Sequence, residues 1–165
     1  MSKKYVYELF VGDYLITKEK DIMLSTVLGS CVAVCLADKA TGIVGMNHFM
    51  LPGWSGSNDA TYCLDATSRL ITEMVNQGAP ADRLRAKVFG GATMFRIGKK
   101  NVAESNISSI FSFLSQHQIP VEAAGTGEGC ARRIYFCSNT YTVHVRSFGK
   151  ALHPAQCDSE YVTFG

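Results

Sequence analysis

The chain has 165 residues, 47% of them hydrophobic and 18% charged, with a formal net charge of +2. That length can bury one real core, so a single domain over residues 1–165 is expected, and a near-neutral balance without a basic block argues against nucleic acid as a partner. The N-terminal run MSKKYVYELFVGDYL breaks at Glu8, Gly12 and Asp13 before any signal-length apolar stretch develops, and no later stretch could span a bilayer; a cytoplasmic protein without membrane insertion is expected.

In chain order, short apolar or alternating runs bounded by Gly, Asp or Asn predict strands at Tyr5 to Val11, Tyr14 to Thr17, Ile22 to Leu28, Val32 to Leu36 and Ile43 to Leu51. Between Ala60 and Gln77 the apolar spacing becomes helical through Cys63, Ala66, Leu70, Ile71, Met74 and Val75, ended by Gly78 and Pro80. Lys87 to Phe89 reads as a short strand entering Gly90-Gly91, where the backbone must turn or approach something closely. A second helical stripe, Ala103, Ile107, Ile110, Phe111 and Leu114, runs up to His117 and Pro120. Val121 to Ala124 is a further strand, before the loop Gly125-Thr-Gly-Glu-Gly129. Arg132 to Ser138 and Tyr141 to Ser147 then pair as a hairpin around Asn139-Thr140. That register sets Ile134 against Val145 and Phe136 against Val143 on a core face, leaving Arg133, Tyr135, His144 and Arg146 on a wet one. Strands before, between and after two helices predict an α+β fold, with helices packed outside a two-sheet, β-sandwich-like core.

Chemistry concentrates between Ser25 and His48. If Lys39 and Ala40 form a two-residue turn, Cys31 lands opposite His48, and cross-strand Cβ atoms sit roughly 4.5 to 5.5 Å apart. A three-residue loop closed by Gly42 would make the pair diagonal. A thiolate is the side chain suited to attack a carboxamide, and a neighbouring imidazolium lowers a cysteine pKa; Cys31 is therefore the candidate nucleophile and His48 its base and acid. The imidazole needs an orienting group, and with no carboxylate beside it the hydroxyl of Ser25 or Thr26 is the candidate. Amides near Gly29 and Ser30 are candidates for an oxyanion site. Spacing alone does not identify an enzyme, because a cysteine and a histidine on adjacent strands are more often packing than chemistry. Zinc on Cys31, Cys35 and His48 is set aside, since strand residues four apart are about 13 Å from each other and zinc–sulfur bonds are about 2.3 Å. No metal or other cofactor is expected. The six cysteines, at 31, 35, 63, 130, 137 and 157, read as thiols. His117, His144 and His153 read as bystanders.

The run Leu28-Gly-Ser-Cys-Val-Ala-Val-Cys35, followed by Gly45-Met-Asn-His-Phe-Met-Leu-Pro52, resembles the chemoreceptor glutamine deamidase family, CheD. Gly90-Gly-Ala-Thr-Met-Phe95, Ile97-Gly and Asn101-Val match the same family in order, so the resemblance covers most of the chain. It implies hydrolysis of glutamine side chains on methyl-accepting chemotaxis receptors to glutamate and ammonia, with Cys31 and His48 on the catalytic positions. It also implies a fold shared with cytotoxic necrotizing factor toxins and an association with CheC-type phosphatases. The family's third catalytic position, usually Thr, falls on Ser25, with Thr26 as the alternative. Two departures concern substrate or partner choice: Lys100 stands where an Arg commonly precedes Asn101, and Glu128 stands where a second glycine follows Gly127.

Overall fold

The computed structural model describes residues 4–93, 101–149 and 161–165. Among the described residues, ten strands form two five-stranded sheets. The first sheet runs β1 (Tyr5–Glu8), β3 (Ile22–Leu28), β8 (Ala131–Cys137), β9 (Val143–Phe148), β10 (Tyr161–Phe164). The second runs β2 (Tyr14–Thr17), β5 (Ile43–Asn47), β4 (Val32–Asp38), β6 (Arg85–Gly90), β7 (Val121–Thr126). Helices α1 (Cys63–Asn76) and α2 (Val102–Gln116) complete the α+β arrangement.

Alternation along β4 sorts the layers. Val32, Val34 and Leu36 face a cluster containing Cys63, Ala66, Leu70, Met74, Ile110 and Leu114 from the two helices. Ala33, Cys35 and Ala37 face the other way, into a second cluster with Leu24, Leu28, Ile134, Phe136 and Val143 from the first sheet. Both helices therefore cover the outer face of the second sheet, and β4 is buried on both sides along its whole length. Gly45 in β5 lets α1 come close, since a Cβ there would lie 2.9 Å from both Leu70 Cδ1 and Met74 Sδ.

Local signals set the helix ends. Asn101 caps α2 by accepting the Glu104 N–H at 3.3 Å. Gln118, at φ 55°, ends the helix before Pro120, as Gly78 at φ 108° does after α1. The β8–β9 hairpin has the predicted register, with Ile134 against Val145 and Phe136 against Val143. The β4–β5 hairpin does not have the two-residue turn. Its loop is Lys39 to Gly42, closed by Gly42 N–H to Asp38 O and with Gly42 at φ 79°. Cys35 then pairs with Met46, Asp38 with Ile43 and Val32 with Phe49, so the register partner of Cys31 is Met50. The slip amounts to two residues, and a two-residue slip preserves which side chains share a face.

Candidate active site

Cys31 lies in a bend between β3 and β4, and His48 lies just past β5. Both flank the Val32–Phe49 pair and both project toward the space between the sheets, as diagonal rather than directly opposed neighbours. Diagonal neighbours are roughly 7 to 8 Å apart, within reach of an imidazole. Cys31 is half-buried and His48 is buried.

Alternation in β3 decides which hydroxyl reaches the histidine. Ile22, Leu24 and Leu28 face the inter-sheet core, so Thr26 does too, and its Oγ1 lies 2.7 Å from His48 Nδ1. Ser25 faces outward, where its hydroxyl accepts from Arg133 Nη1 at 3.2 Å and lies beside the Arg133–Glu8 ion pair. The orienting contact is made by Thr26, and Ser25 makes none with His48.

The same contact specifies the imidazole tautomer. Thr26 Oγ1 donates its one proton to the Leu9 carbonyl at 2.7 Å, so it can only accept from His48, and Nδ1 carries the hydrogen. Nε2 is left as a lone pair, buried and without a hydrogen-bond partner. An unpaired buried polar atom costs about 1 to 3 kcal/mol, a cost accepted where the atom has work to do. Burial brings the His48 pKa down to about 4, against the opposing pull of Asp13 and Glu8. Burial also raises the Cys31 thiol, partly offset by its own backbone N–H. Burial thus pushes both groups toward their neutral forms.

The crossover from β1 to β2 closes this end of the sandwich. Leu9 N–H bonds to Ser25 O, Gly12 N–H to His48 O at 2.9 Å, and His48 N–H to Asp13 O at 3.3 Å. Phe10 and Val11 stand exposed on that crossover, as do Met50 beside Cys31 and Trp54, whose ring meets Phe113 edge-on.

The bend itself is held by its carbonyls. Gly29 O accepts from Ala92 N–H and Cys31 O from Gly91 N–H, both at 2.9 Å, while Ser30 O accepts from Asn106 Nδ2 at 3.2 Å. Gly90 makes the approach possible, because a Cβ there would lie 2.2 Å from Cys31 O. Arg132, buried, donates to Gly90 O at 2.6 Å and to Gly127 O, tying both glycine loops together. Glu128 adopts φ 63°, its carbonyl accepts from Thr93 N–H, and its exposed carboxylate is 4.0 Å from Arg132. Lys100, Ile97-Gly98 and the Met94-Phe95 end of the Gly90-to-Phe95 motif lie outside the described residues.

The other described cysteines offer no comparable setting. Cys35, Cys63 and Cys137 are buried free thiols; burial drives Cys35 far up and Cys63 to about 12. Cys130 is disulfide-bonded, which corrects the reading of all six as thiols. His117 bonds the Phe113 carbonyl and His144 bonds Thr163, both away from Cys31. Two site residues, Asn106 and Arg132, escaped the sequence reading. Asn106 carried a signal, since it falls on the buried stripe of α2 with Ala103, Ile110 and Phe113, where an amide needs a partner.

Residues 50–147 match the family model described as CheD chemotactic sensory transduction. The chain belongs to the CheD family. Among its relatives are proteins named as probable chemoreceptor glutamine deamidase CheD. The one from Bordetella avium (strain 197N) is 44% identical over 139 residues, covering 81% of this chain and 62% of its own. The one from Agrobacterium fabrum is 41% identical, covering 76% and 70%. A second protein of that name from Chromobacterium violaceum, CheD 2, is 37% identical, covering 87% and 74%. The chain thus spans less than two thirds of the Bordetella avium relative. Among solved structures it is similar to the Bacillus licheniformis hypothetical protein YfiH, with TM-score 0.45 and 15% identity, covering 76% of this chain and 59% of that one. The family match begins after Cys31 and His48, so what those two do rests on their geometry.

Proposed function

We propose that this CheD-family chain hydrolyses glutamine side chains of chemoreceptors to glutamate, releasing ammonia, with Cys31 as nucleophile and His48 as base and acid. The observation that carries the proposal is the Thr26–His48 contact, which leaves Nε2 as an unpaired lone pair on the face that Cys31 shares. Relatives named as probable chemoreceptor glutamine deamidases supply the substrate class.

In the first step His48 Nε2 takes the Cys31 thiol proton as sulfur attacks the carboxamide carbon. The oxyanion then meets the amides of the bend. In a trans peptide C=O and N–H point opposite ways, so with Gly29 O and Ser30 O held by Ala92 and Asn106, the Ser30 and Cys31 N–H groups face away from those anchors. They are the better oxyanion candidates, one residue later than Gly29 and Ser30. His48 returns its proton to the leaving nitrogen, ammonia departs and a thioester remains. Water, deprotonated by His48, then attacks the thioester, and cleavage of the carbon–sulfur bond restores the thiol and yields glutamate. No cofactor enters this scheme. The reading places the protein in the cytoplasm, with receptor helices as substrate and a CheC-type phosphatase as a further candidate partner.

The direct test incubates the protein with receptor cytoplasmic fragments and follows glutamine-to-glutamate conversion by mass spectrometry. Conversion that disappears in Cys31→Ala and in His48→Ala, by about 10⁴-fold or more, is expected. Identical behaviour of wild type and Cys31→Ala would refute the enzyme reading. Phosphatase binding that survives Cys31→Ala, without ammonia release from wild type, would instead indicate a non-catalytic regulator.

A further inference from the structure

Asn106 is wholly buried on α2, and its amide reaches both sides of the nucleophile. Nδ2 donates to Ser30 O at 3.2 Å, in the residue before Cys31, and to Met50 O at 2.9 Å, in the register partner of Cys31. Both partners are carbonyls, so the amino group must be the end that faces them, and its two protons are used. Oδ1 is left buried with no partner. An amide with an orphaned oxygen inside an apolar stripe is a poor choice for stability alone, and this is the second such atom at the site, after His48 Nε2.

The ladder explains what the amide replaces. Val32 and Phe49 exchange both backbone hydrogen bonds, and a continuing ladder would next give Ser30 O the Leu51 N–H. Leu51 N–H goes instead to Thr61 O, as does Met50 N–H. Asn106 takes over where the ladder stops, at Cys31. Holding Ser30 O toward α2 fixes the orientation of the Ser30–Cys31 peptide. The N–H of that peptide, opposite the held carbonyl in a trans peptide, is thereby aimed away from α2, toward the side on which Cys31 and His48 lie.

We propose that Asn106 is a positioning residue that locks the Ser30–Cys31 peptide, holding its N–H toward the sulfur and the developing oxyanion. The proposal deepens the deamidase reading and rests on it for the oxyanion, while its effect on the thiol stands apart from turnover.

The test compares wild type, Asn106→Ala and Asn106→Ser with a control, Ser109→Ala. Ser109 also joins α2 to the 50–53 segment, accepting the Gly53 N–H at 3.1 Å, but does not touch the Cys31 bend. Two quantities are read: the pH profile of Cys31 alkylation by iodoacetamide, followed by peptide mass spectrometry, and kcat and KM on receptor fragments. In Asn106→Ala the alkylation profile moves to higher pH and kcat falls about 10²-fold with KM nearly unchanged. Ser109→Ala leaves both where they are. Asn106→Ser, with one donor on a shorter arm, shows the same two shifts at smaller size and decides the matter if the alanine variant does not fold. A folded Asn106 variant with the wild-type alkylation profile and kcat overturns the proposal. If wild type turns over no glutamine, the deamidase reading fails, and the alkylation profile alone decides whether Asn106 positions the thiol.

Discussion

The two ends of β4 treat buried polar groups in opposite ways. At the hairpin end, Asp38 is satisfied on every side: Arg83 reaches it through Nε at 3.1 Å and Nη2 at 2.9 Å, Thr41 Oγ1 at 2.7 Å and Ala40 N–H at 3.2 Å. Midway, buried Lys87 donates to Tyr141 O at 2.7 Å and Phe164 O at 3.3 Å. At the Cys31 end, His48 Nε2 and Asn106 Oδ1 have no partner. Among the described residues, polar groups are thus fully paired at the hairpin end of β4 and left unpaired at the end beside Cys31. That contrast, independent of any motif, supports the proposed site.

The sharpest way to break this comparison is to exchange the roles of two adjacent hydroxyls. Thr26→Val removes the partner of both His48 Nδ1 and Leu9 O, freeing the imidazole to rotate or change tautomer, and kcat is expected to fall about 10³-fold. Ser25→Ala, on the outer face, should leave kcat close to wild type while loosening the Arg133 contact. Steady-state rates of the two variants settle the matter, and equal losses would return Ser25 to the site.

A smaller effect comes from pH. His48 has a folded pKa of about 4 against an ordinary value of 6.5, so between those values the unfolded chain binds a proton that the folded chain does not. Stability should therefore fall as pH drops from 6.5 toward 4, by up to about 3 kcal/mol, and His48→Gln should flatten that part of the profile. Melting temperatures across this range check it. The acid limb of kcat/KM should likewise lie well below the usual histidine range.

The smallest effect concerns the satisfied end. Arg83 holds the Asp38 carboxyl at about 2, so the stability it confers is present above the ordinary carboxylate pKa and is lost as pH falls through 2. Arg83→Ala should lower the melting temperature by a few degrees at neutral pH and leave kcat unchanged. A loss of activity there would mean that the two ends of β4 are coupled.

Much of this molecule was legible from local pattern. The strands Tyr14–Thr17 and Ile22–Leu28 have the predicted bounds, both helices lie where the apolar spacing changes, and the β8–β9 register follows from its turn. The β4–β5 register was not legible, because two-, three- and four-residue loops are all compatible with Lys39-Ala-Thr-Gly42, and the choice depends on Asp38 accepting bonds from its own turn. Strand β10 was not read at all; Tyr161 to Phe164 becomes a strand by pairing with β9 rather than by any strong pattern of its own.

The sequence by itself determined that Ser25 and Thr26 would face opposite ways, since side-chain direction in a strand repeats every two residues whatever the fold, whereas Cys31 and His48 share a face only through the β4–β5 register. Only the tertiary structure decided which face of β3 looks inward, and hence that Thr26 rather than Ser25 meets His48 across the gap between sheets. It alone placed Asn106, 76 positions from Ser30, against the bend beside the nucleophile. These contacts join elements through packing, and packing is a property of the assembled layers that no local periodicity encodes.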